Sequence, residues 1–582
     1  MADGDAGWQT WSGLATRLGA VPLFATLDHA ARAAIAEELE WFSLPGGAVL
    51  YAEGDAPEAI FIVLSGLLSI VRGPLARGSD DTVEVRAGES VGEVGLLTGR
   101  PHTGSVVALR DSTLATMSRA AFDRLIARYP DILLRLAREI ASWSARPAPR
   151  DRPPGARRTV ALLPVSDEAP GRLARLLKDA LEITGKRVTL LDAAAQNRVE
   201  EEYDAIELAH DVTIYCGERT ASTWSLLCLR RADYVMIVAD GGAPPSRPEL
   251  IVQLEALRRR RIILVLTHES ARRLPAPAAG WLTQVPAQYH RHIRLDRPDD
   301  IGRLARFLTD RAVGLVLSGG GARAYGHIGV AQALREAGIE FDLLGGTSMG
   351  AIVAAGFAHE WSLEELRARM HEAFVTSNPL GDVAIPLLAL SRGARVSARL
   401  RQNFGASRIE DLWRPYFAVS SNLTTGKVQV HREGRLWRAL RASVAIPGLL
   451  PPVIEHGEVL VDGAVMNNLP AEVMTAVSFG PVIGVDVGRR EDFRPVNRGW
   501  LANLILGPDA HAPGMVNILL RAGTIASEAE TALSREHVDL LVEPPLDQIG
   551  MRDWHSFNRA VEAGYRHAVQ TLKNADLSKF RA

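Results

Sequence analysis

Residues 345–356 read GGTSMGAIVAAG, and this stretch decides how the last part of the chain folds. Gly346, Ser348 and Gly350 form a G-x-S-x-G pattern directly after the strand-like FDLLG and before the helix-like AIVAAGFA. A serine at such a junction sits on a tight strand-to-helix turn, with its hydroxyl exposed at the tip. Glycine on either side is needed because side chains would clash in the bend. The helix behind it presents its N-terminus, which favours developing negative charge. The expectation is therefore a nucleophile on an elbow. A plain structural turn is the competing reading, because G-x-S-x-G also arises by chance in long chains.

Two neighbouring stretches extend that reading. Residues 315–330, LVLSGGGARAYGHIGV, place Gly319, Gly320 and Gly321 between a strand and a helix. Their backbone N–H groups are expected to point into a shared cavity and hold an oxyanion. Phosphate binding is the rival, but neither G-x-G-x-x-G nor the Walker pattern fits, since no Lys-Ser or Lys-Thr pair follows. Arg323 is read as orienting the loop or meeting a lipid phosphate. Residues 461–470, VDGAVMNNLP, put Asp462 at the end of an apolar strand and on a turn, where a carboxylate can take the serine proton. Acting without a histidine, such a carboxylate would need a raised pKa, which partial burial beside the apolar strand end would supply. A Ser–His–Asp arrangement would need a late histidine. His511, His537, His555 and His567 are available, and none lies in a recognisable catalytic setting. No metal-ligand cluster is visible, so neither metal nor cofactor is expected.

Outward from this region the 582 residues read as a multidomain chain. Residues 1–145 carry short β-prone runs (AVLYA, AIFIVL, LLSIV, TVEVR) broken by Gly, Pro and Asp, the pattern of a β-roll or jelly-roll. Helical periodicity follows from Arg119 to Ser144. Residues 146–158, RPAPRDRPPGARR, read as a linker. Residues 159–310 alternate apolar strands with helices, which predicts a parallel, Rossmann-like α/β scaffold domain. Residues 311–582 form a further α/β/α domain carrying the serine.

Basic and acidic residues number 66 and 68, a net charge of -2, so a dedicated nucleic-acid partner is not expected. The two cysteines, Cys216 and Cys228, fit a reducing compartment. The start, MADGDAGWQTW, lacks the features of a secretory signal, and no run of about 18 apolar residues occurs. The expected setting is the cytoplasm, with any membrane met peripherally at its inner face. Residues 499–520 are read as a membrane-contact loop or as buried packing, and Arg258–Arg261 as a solvated helix end.

Glycine loop, G-x-S-x-G and Asp-Gly-Ala, in this order, resemble the patatin-like phospholipase family. That resemblance implies a Ser–Asp dyad, with Ser348 as nucleophile, Asp462 as base and Gly319, Gly320 and Gly321 as oxyanion donors. The family's usual loop ending has Gly where Ala324 stands here. IEDLWRPYFAVSSNLTTG (409–426), LWRALRASVAIPGLLPPV (436–453) and the tail VEPPLDQIGMRDWHSFNRAVEAGY resemble the neuropathy target esterase branch more closely still. So does the middle domain, in RTVALLPVS and STWSLLCLRRADYVMIVAD. The implied substrates are phospholipids or lysophospholipids. VGEVGLLTGRPHTGSVVAL (91–109) resembles a cyclic-nucleotide-binding domain. Gly92 and Glu93 match that family, but His102 stands where an arginine would clasp the cyclic phosphate. Histidine is shorter and only partly charged at neutral pH, and it makes no bidentate phosphate contact. A structural or regulatory module, rather than a cyclic-nucleotide binder, is the expectation.

Overall fold

The computed structural model describes residues 28–71, 82–129, 157–165, 170–245, 249–256, 261–269, 272–384, 389–478, 480–488 and 530–581, with a few isolated positions besides. The 499–520 segment, Arg258–Arg260, His511 and most of the expected linker lie outside these residues. The chain divides into two compact units, Met1–Thr267 with Gly280–His290, and His268–Ala279 with Arg291–Ala582. The division therefore falls ahead of the boundary expected at residue 310.

The first unit opens with two four-stranded antiparallel sheets. One orders its strands Glu40–Leu44, Ser112–Ser118, Ala59–Ser65, Ser90–Val91; the other Val49–Tyr51, Ser105–Ala108, Leu67–Val71, Thr82–Arg86. Both faces are covered in part: the consecutive residues Ile62 and Val63 are fully enclosed, each in a different core cluster, and Ser105–Ala108 is buried throughout. This is the expected β-roll. The helix that follows starts at Arg119, where the Ser118 side chain caps the Ala121 N–H.

The same unit continues with strands Arg158–Pro164, Val188–Leu191, Val212–Cys216, Tyr234–Asp240 and Ile262–His268, whose pairings are parallel. The first of them begins at Arg158, which the sequence reading gave to the linker. Numbered along the chain, these five strands run 2-3-1-4-5 in the sheet. A Rossmann sheet runs 3-2-1-4-5-6. The order departs from that of a Rossmann sheet at one edge, where the third strand, not the second, pairs with the first. Apolar runs announce parallel strands but say nothing of their order, because each crossover can reach either neighbour.

The second unit is built on a sheet that orders its strands Val453–Glu455, Glu458–Asp462, Tyr416–Asn422, Leu343–Thr347, Gly314–Leu317, Val482–Val485 and Leu540–Val542, with Lys427–His431 also paired to Tyr416–Asn422. The three strands at the centre run parallel, and Gly314–Leu317 and Leu343–Thr347 are wholly buried. That burial explains their unbroken apolar composition. The helix Met349–Ala358 is buried along its whole length, so it carries no polar face.

One pairing detail positions the site. On strand Tyr416–Asn422, Val419 lies opposite Thr347 and Ser420 lies opposite Asp462. Strand Lys427–His431 occupies the other side over residues 418–422. The elbow strand and strand Glu458–Asp462 therefore share one side, arriving from opposite directions and meeting end to end. Their last residues, Thr347 and Asp462, fall on consecutive rungs of the ladder.

Candidate active site

Ser348 follows Thr347 at that meeting point. Its backbone has φ 54° and ψ −128°, a conformation that costs a non-glycine residue about 1–3 kcal/mol. The surrounding structure holds it there. The Ser348 N–H donates to Ser443 Oγ at 2.8 Å, and that hydroxyl donates to the Val419 carbonyl at 2.6 Å. At Gly346 a Cβ would lie 2.5 Å from the Leu317 carbonyl oxygen, and at Gly350 2.4 Å from the Ser318 carbonyl oxygen. The elbow is pressed against the backbone of its neighbour, and only glycine allows that approach.

Ser348 Oγ donates a 2.7 Å hydrogen bond directly to Asp462 Oδ2. Asp462 Oδ1 accepts from the Ala464 N–H at 2.9 Å, and the Asp462 N–H donates to the Ala445 carbonyl at 2.9 Å. The side chain is therefore fixed by both oxygens and by its backbone. Asp462 is 3% exposed, and burial pushes its carboxyl up to about 7, against the smaller opposing pull of the Ser348 and Ala464 hydrogen bonds. The raised value anticipated for a lone carboxylate is present, and its cause is desolvation. Among the described residues no histidine hydrogen-bonds to either Ser348 or Asp462.

The glycine loop needs one correction. Gly319 does not offer its N–H to the cavity, because it donates to Asn468 Oδ1 at 3.1 Å and lies 3.3 Å from the Asn468 carbonyl oxygen. Gly319 instead lets the loop come close: a Cβ there would lie 2.8 Å from Asn468 Oδ1 and 3.1 Å from Ser348 Cβ. The N–H groups of Gly320 and Gly321 carry no hydrogen bond to described residues and remain as donors. Arg323 is 4% exposed in the 3-10 turn Gly321–Tyr325 and is not among the residues lining the cleft, so its position fits the loop rather than a lipid phosphate.

Three residues of the site escaped the sequence reading: Ser443, Asn468 and His327. The first two lie in stretches whose family resemblance was noted, but nothing local marks them. His327 is fully buried, and its Nε2 donates to the Ser318 carbonyl at 2.8 Å. Burial pushes it down to about 4, so it is neutral and braces the loop from behind.

Ser348 opens onto a cleft of about 750 Å³, its mouth included. The walls are apolar, with Ile352, Phe374, Leu380, Val444, Leu450 and Trp554 among them, and Gly321 lies at the serine end. Such a cavity accepts a hydrocarbon chain and strengthens every electrostatic interaction at its polar end.

In the first unit, Gly92 has φ 92° and its Cβ position is blocked by the Ala59 carbonyl oxygen at 2.7 Å. Glu93 is buried. His102 is stacked on Tyr51 with ring centroids 3.7 Å apart, and burial lowers its pKa from the ordinary histidine value against an opposing pull from Asp55. A neutral, stacked ring stands at this position in place of a phosphate-clasping cation. Arg100, two residues earlier, is exposed.

Glycine loop, serine elbow and buried aspartate around one α/β sheet define a patatin-like phospholipase domain, and residues 315–475 match the family of that description. Residues 156–307 match the Neuropathy Target Esterase family P-loop like domain, and residues 41–129 the cyclic nucleotide-binding domain. The chain belongs to the Neuropathy Target Esterase family. It is 31% identical to an uncharacterized family member of Mycobacterium tuberculosis, over 96% of each chain. It is 30% identical to patatin-like phospholipase domain-containing protein 7 of Rattus norvegicus and to protein 6 of Homo sapiens, over 91% of this chain. The chain spans only 45% and 44% of the length of those two relatives.

Proposed function

We propose that the protein hydrolyses the acyl esters of phospholipids or lysophospholipids, with Ser348 as nucleophile and Asp462 as its base. The observation that carries this reading is the 2.7 Å contact between the Ser348 hydroxyl and a buried carboxylate, on the wall of an apolar cleft. Asp462 takes the hydroxyl proton as Oγ attacks the ester carbonyl carbon. The carbonyl oxygen becomes an oxyanion, which the Gly320 and Gly321 N–H groups and the N-terminus of helix Met349–Ala358 favour. Collapse of the intermediate expels the alcohol, which leaves with the proton from Asp462. Water, deprotonated by Asp462, then releases the fatty acid from the acyl-enzyme.

The lipid is met at a membrane surface; among the described residues no helix is long and apolar enough to cross a bilayer. The first domain acts as a structural or regulatory module. The stacked, neutral His102 favours that role over the capture of a cyclic phosphate.

The decisive experiment is fatty-acid release from lysophosphatidylcholine by wild type and Ser348→Ala, with labelling by a fluorophosphonate in parallel. Release and labelling that both vanish in the variant are expected, with a loss on the order of 10⁴-fold or more. A wild type that neither releases fatty acid nor takes up the label would overturn the reading.

The pH profile follows from the same pair. Only the carboxylate form of Asp462 accepts a proton, and burial holds the group near 7. On a neutral ester, kcat/KM should fall about tenfold per unit below that value and level off above it. A profile flat from about pH 5 upward would remove Asp462 as the base.

A further inference from the structure

Beside the cleft lies a second pocket of about 370 Å³, its mouth included. The two share four wall residues, Ile352, Phe374, Pro379 and Val396. Ile352 stands one helical turn beyond Ser348 on the elbow helix, about 6 Å along its axis, so the shared wall begins next to the serine. Phe374 sits on a π-helical turn, His371–Thr376, between helix Leu363–Met370 and the loop that follows. A π turn re-aims a side chain relative to a regular helix and is frequent at functional sites. Here it sets Phe374 between the chambers, 5.4 Å from the Trp554 ring that lines the first one.

The second chamber is lined mostly by apolar side chains, with Arg369, Arg399 and Asn403 as its polar lining residues. Trp361 and Phe404 stack there with ring centroids 5.1 Å apart, beside Met370 and Leu400. Beyond them Arg369 lies over Trp361 at 4.5 Å, donates to Glu365 at 2.8 Å and reaches Asn403 Oδ1 at 3.3 Å. Arg399 lies 3.6 Å from Glu372. These part-exposed charges mark where an apolar chain would have to stop.

We infer that the two chambers form one acyl-chain channel, with Phe374 and Val396 as the partition, so that the second chamber selects long fatty-acyl chains. This rests on the serine hydrolase reading above. A short acyl group fills only the first cleft; a long one passes the partition and gains the burial of its far methylenes against Leu400, Met370 and Trp361. Each methylene held in such a pocket is worth about tenfold or more in specificity.

The test compares kcat/KM for p-nitrophenyl palmitate and butyrate in wild type, Leu400→Trp and Phe374→Ala. Leu400→Trp fills the second chamber and should lower the palmitate-to-butyrate ratio by about tenfold or more. Phe374→Ala removes the partition and should shift the ratio the other way. A ratio that stays put in both folded variants overturns the channel while leaving the hydrolase intact. A wild type that cleaves neither ester overturns the hydrolase reading and the channel with it. Should either variant fail to fold, the wild type labelled at Ser348 by hexadecyl or by butyl fluorophosphonate decides the matter. The hexadecyl adduct should melt at the higher temperature, and equal melting temperatures would overturn the channel.

Discussion

Asp462→Asn is expected to lower kcat for ester hydrolysis by about 10³- to 10⁴-fold while leaving the protein folded. Asparagine matches aspartate in shape but accepts no proton at neutral pH. The Ser348 hydroxyl would keep an oxygen to donate to and lose its base. No neighbouring group can stand in, because among the described residues no other carboxylate or histidine hydrogen-bonds to Ser348. The variant should also lose the acid limb of the pH profile, since any residual rate no longer depends on a group titrating near 7. Steady-state kinetics over a range of pH, with circular dichroism to verify folding, provide the check. Activity within tenfold of wild type would place the base elsewhere.

Gly321→Ala is expected to lower kcat by about 10²- to 10³-fold, the usual cost of disturbing one oxyanion donor. Gly321 has φ 58°, and a Cβ there would lie 2.3 Å from the Met551 carbonyl oxygen. The left-handed backbone alone costs an alanine about 1–2 kcal/mol. The contact adds to this and has to be relieved by moving the loop, which carries the Gly321 N–H away from the ester oxygen. Gly338→Ala separates the two effects. Gly338 also has a left-handed φ, of 76°, but nothing lies within 4 Å of its Cβ position, and it sits in the turn after helix Gly326–Glu336. That variant should lose a comparable backbone term in a thermal melt and keep its kcat. If Gly321→Ala behaves like Gly338→Ala, Gly321 is a turn residue and not an oxyanion donor.

The parts of the site that sequence could announce are those whose requirements are local. Gly346 and Gly350 are dictated by a bend within five residues, and the pattern around Ser348 was legible for that reason. Asp462 was legible only in company, because an Asp-Gly pair is ordinarily just a turn. What stayed hidden depends on partners far along the chain. Gly319 was misjudged as a donor because its partner, Asn468, is brought beside it by the fold and not by spacing. Ser443 supports the strained elbow from a helix 95 residues further along the chain. His327 looks like any histidine in a helix until its burial and its contact with Ser318 are seen. The strand order of the middle sheet was hidden for the same reason: hydrophobic runs fix which segments are strands and leave the path of each crossover open.

The end-to-end meeting of two strands along Tyr416–Asn422 also sets the time at which the pair comes together during folding. Ser348 and Asp462 are separated by 114 residues of chain. The elbow strand and the helix behind it are close in sequence and can assemble early, whereas the glycine loop waits for Asn468. Strand Glu458–Asp462 has to add to a sheet edge made by residues further back, and such non-local pairing is slow. A chain caught halfway therefore holds a serine on its elbow with no carboxylate beside it, and remains inert until the last rung of the ladder closes.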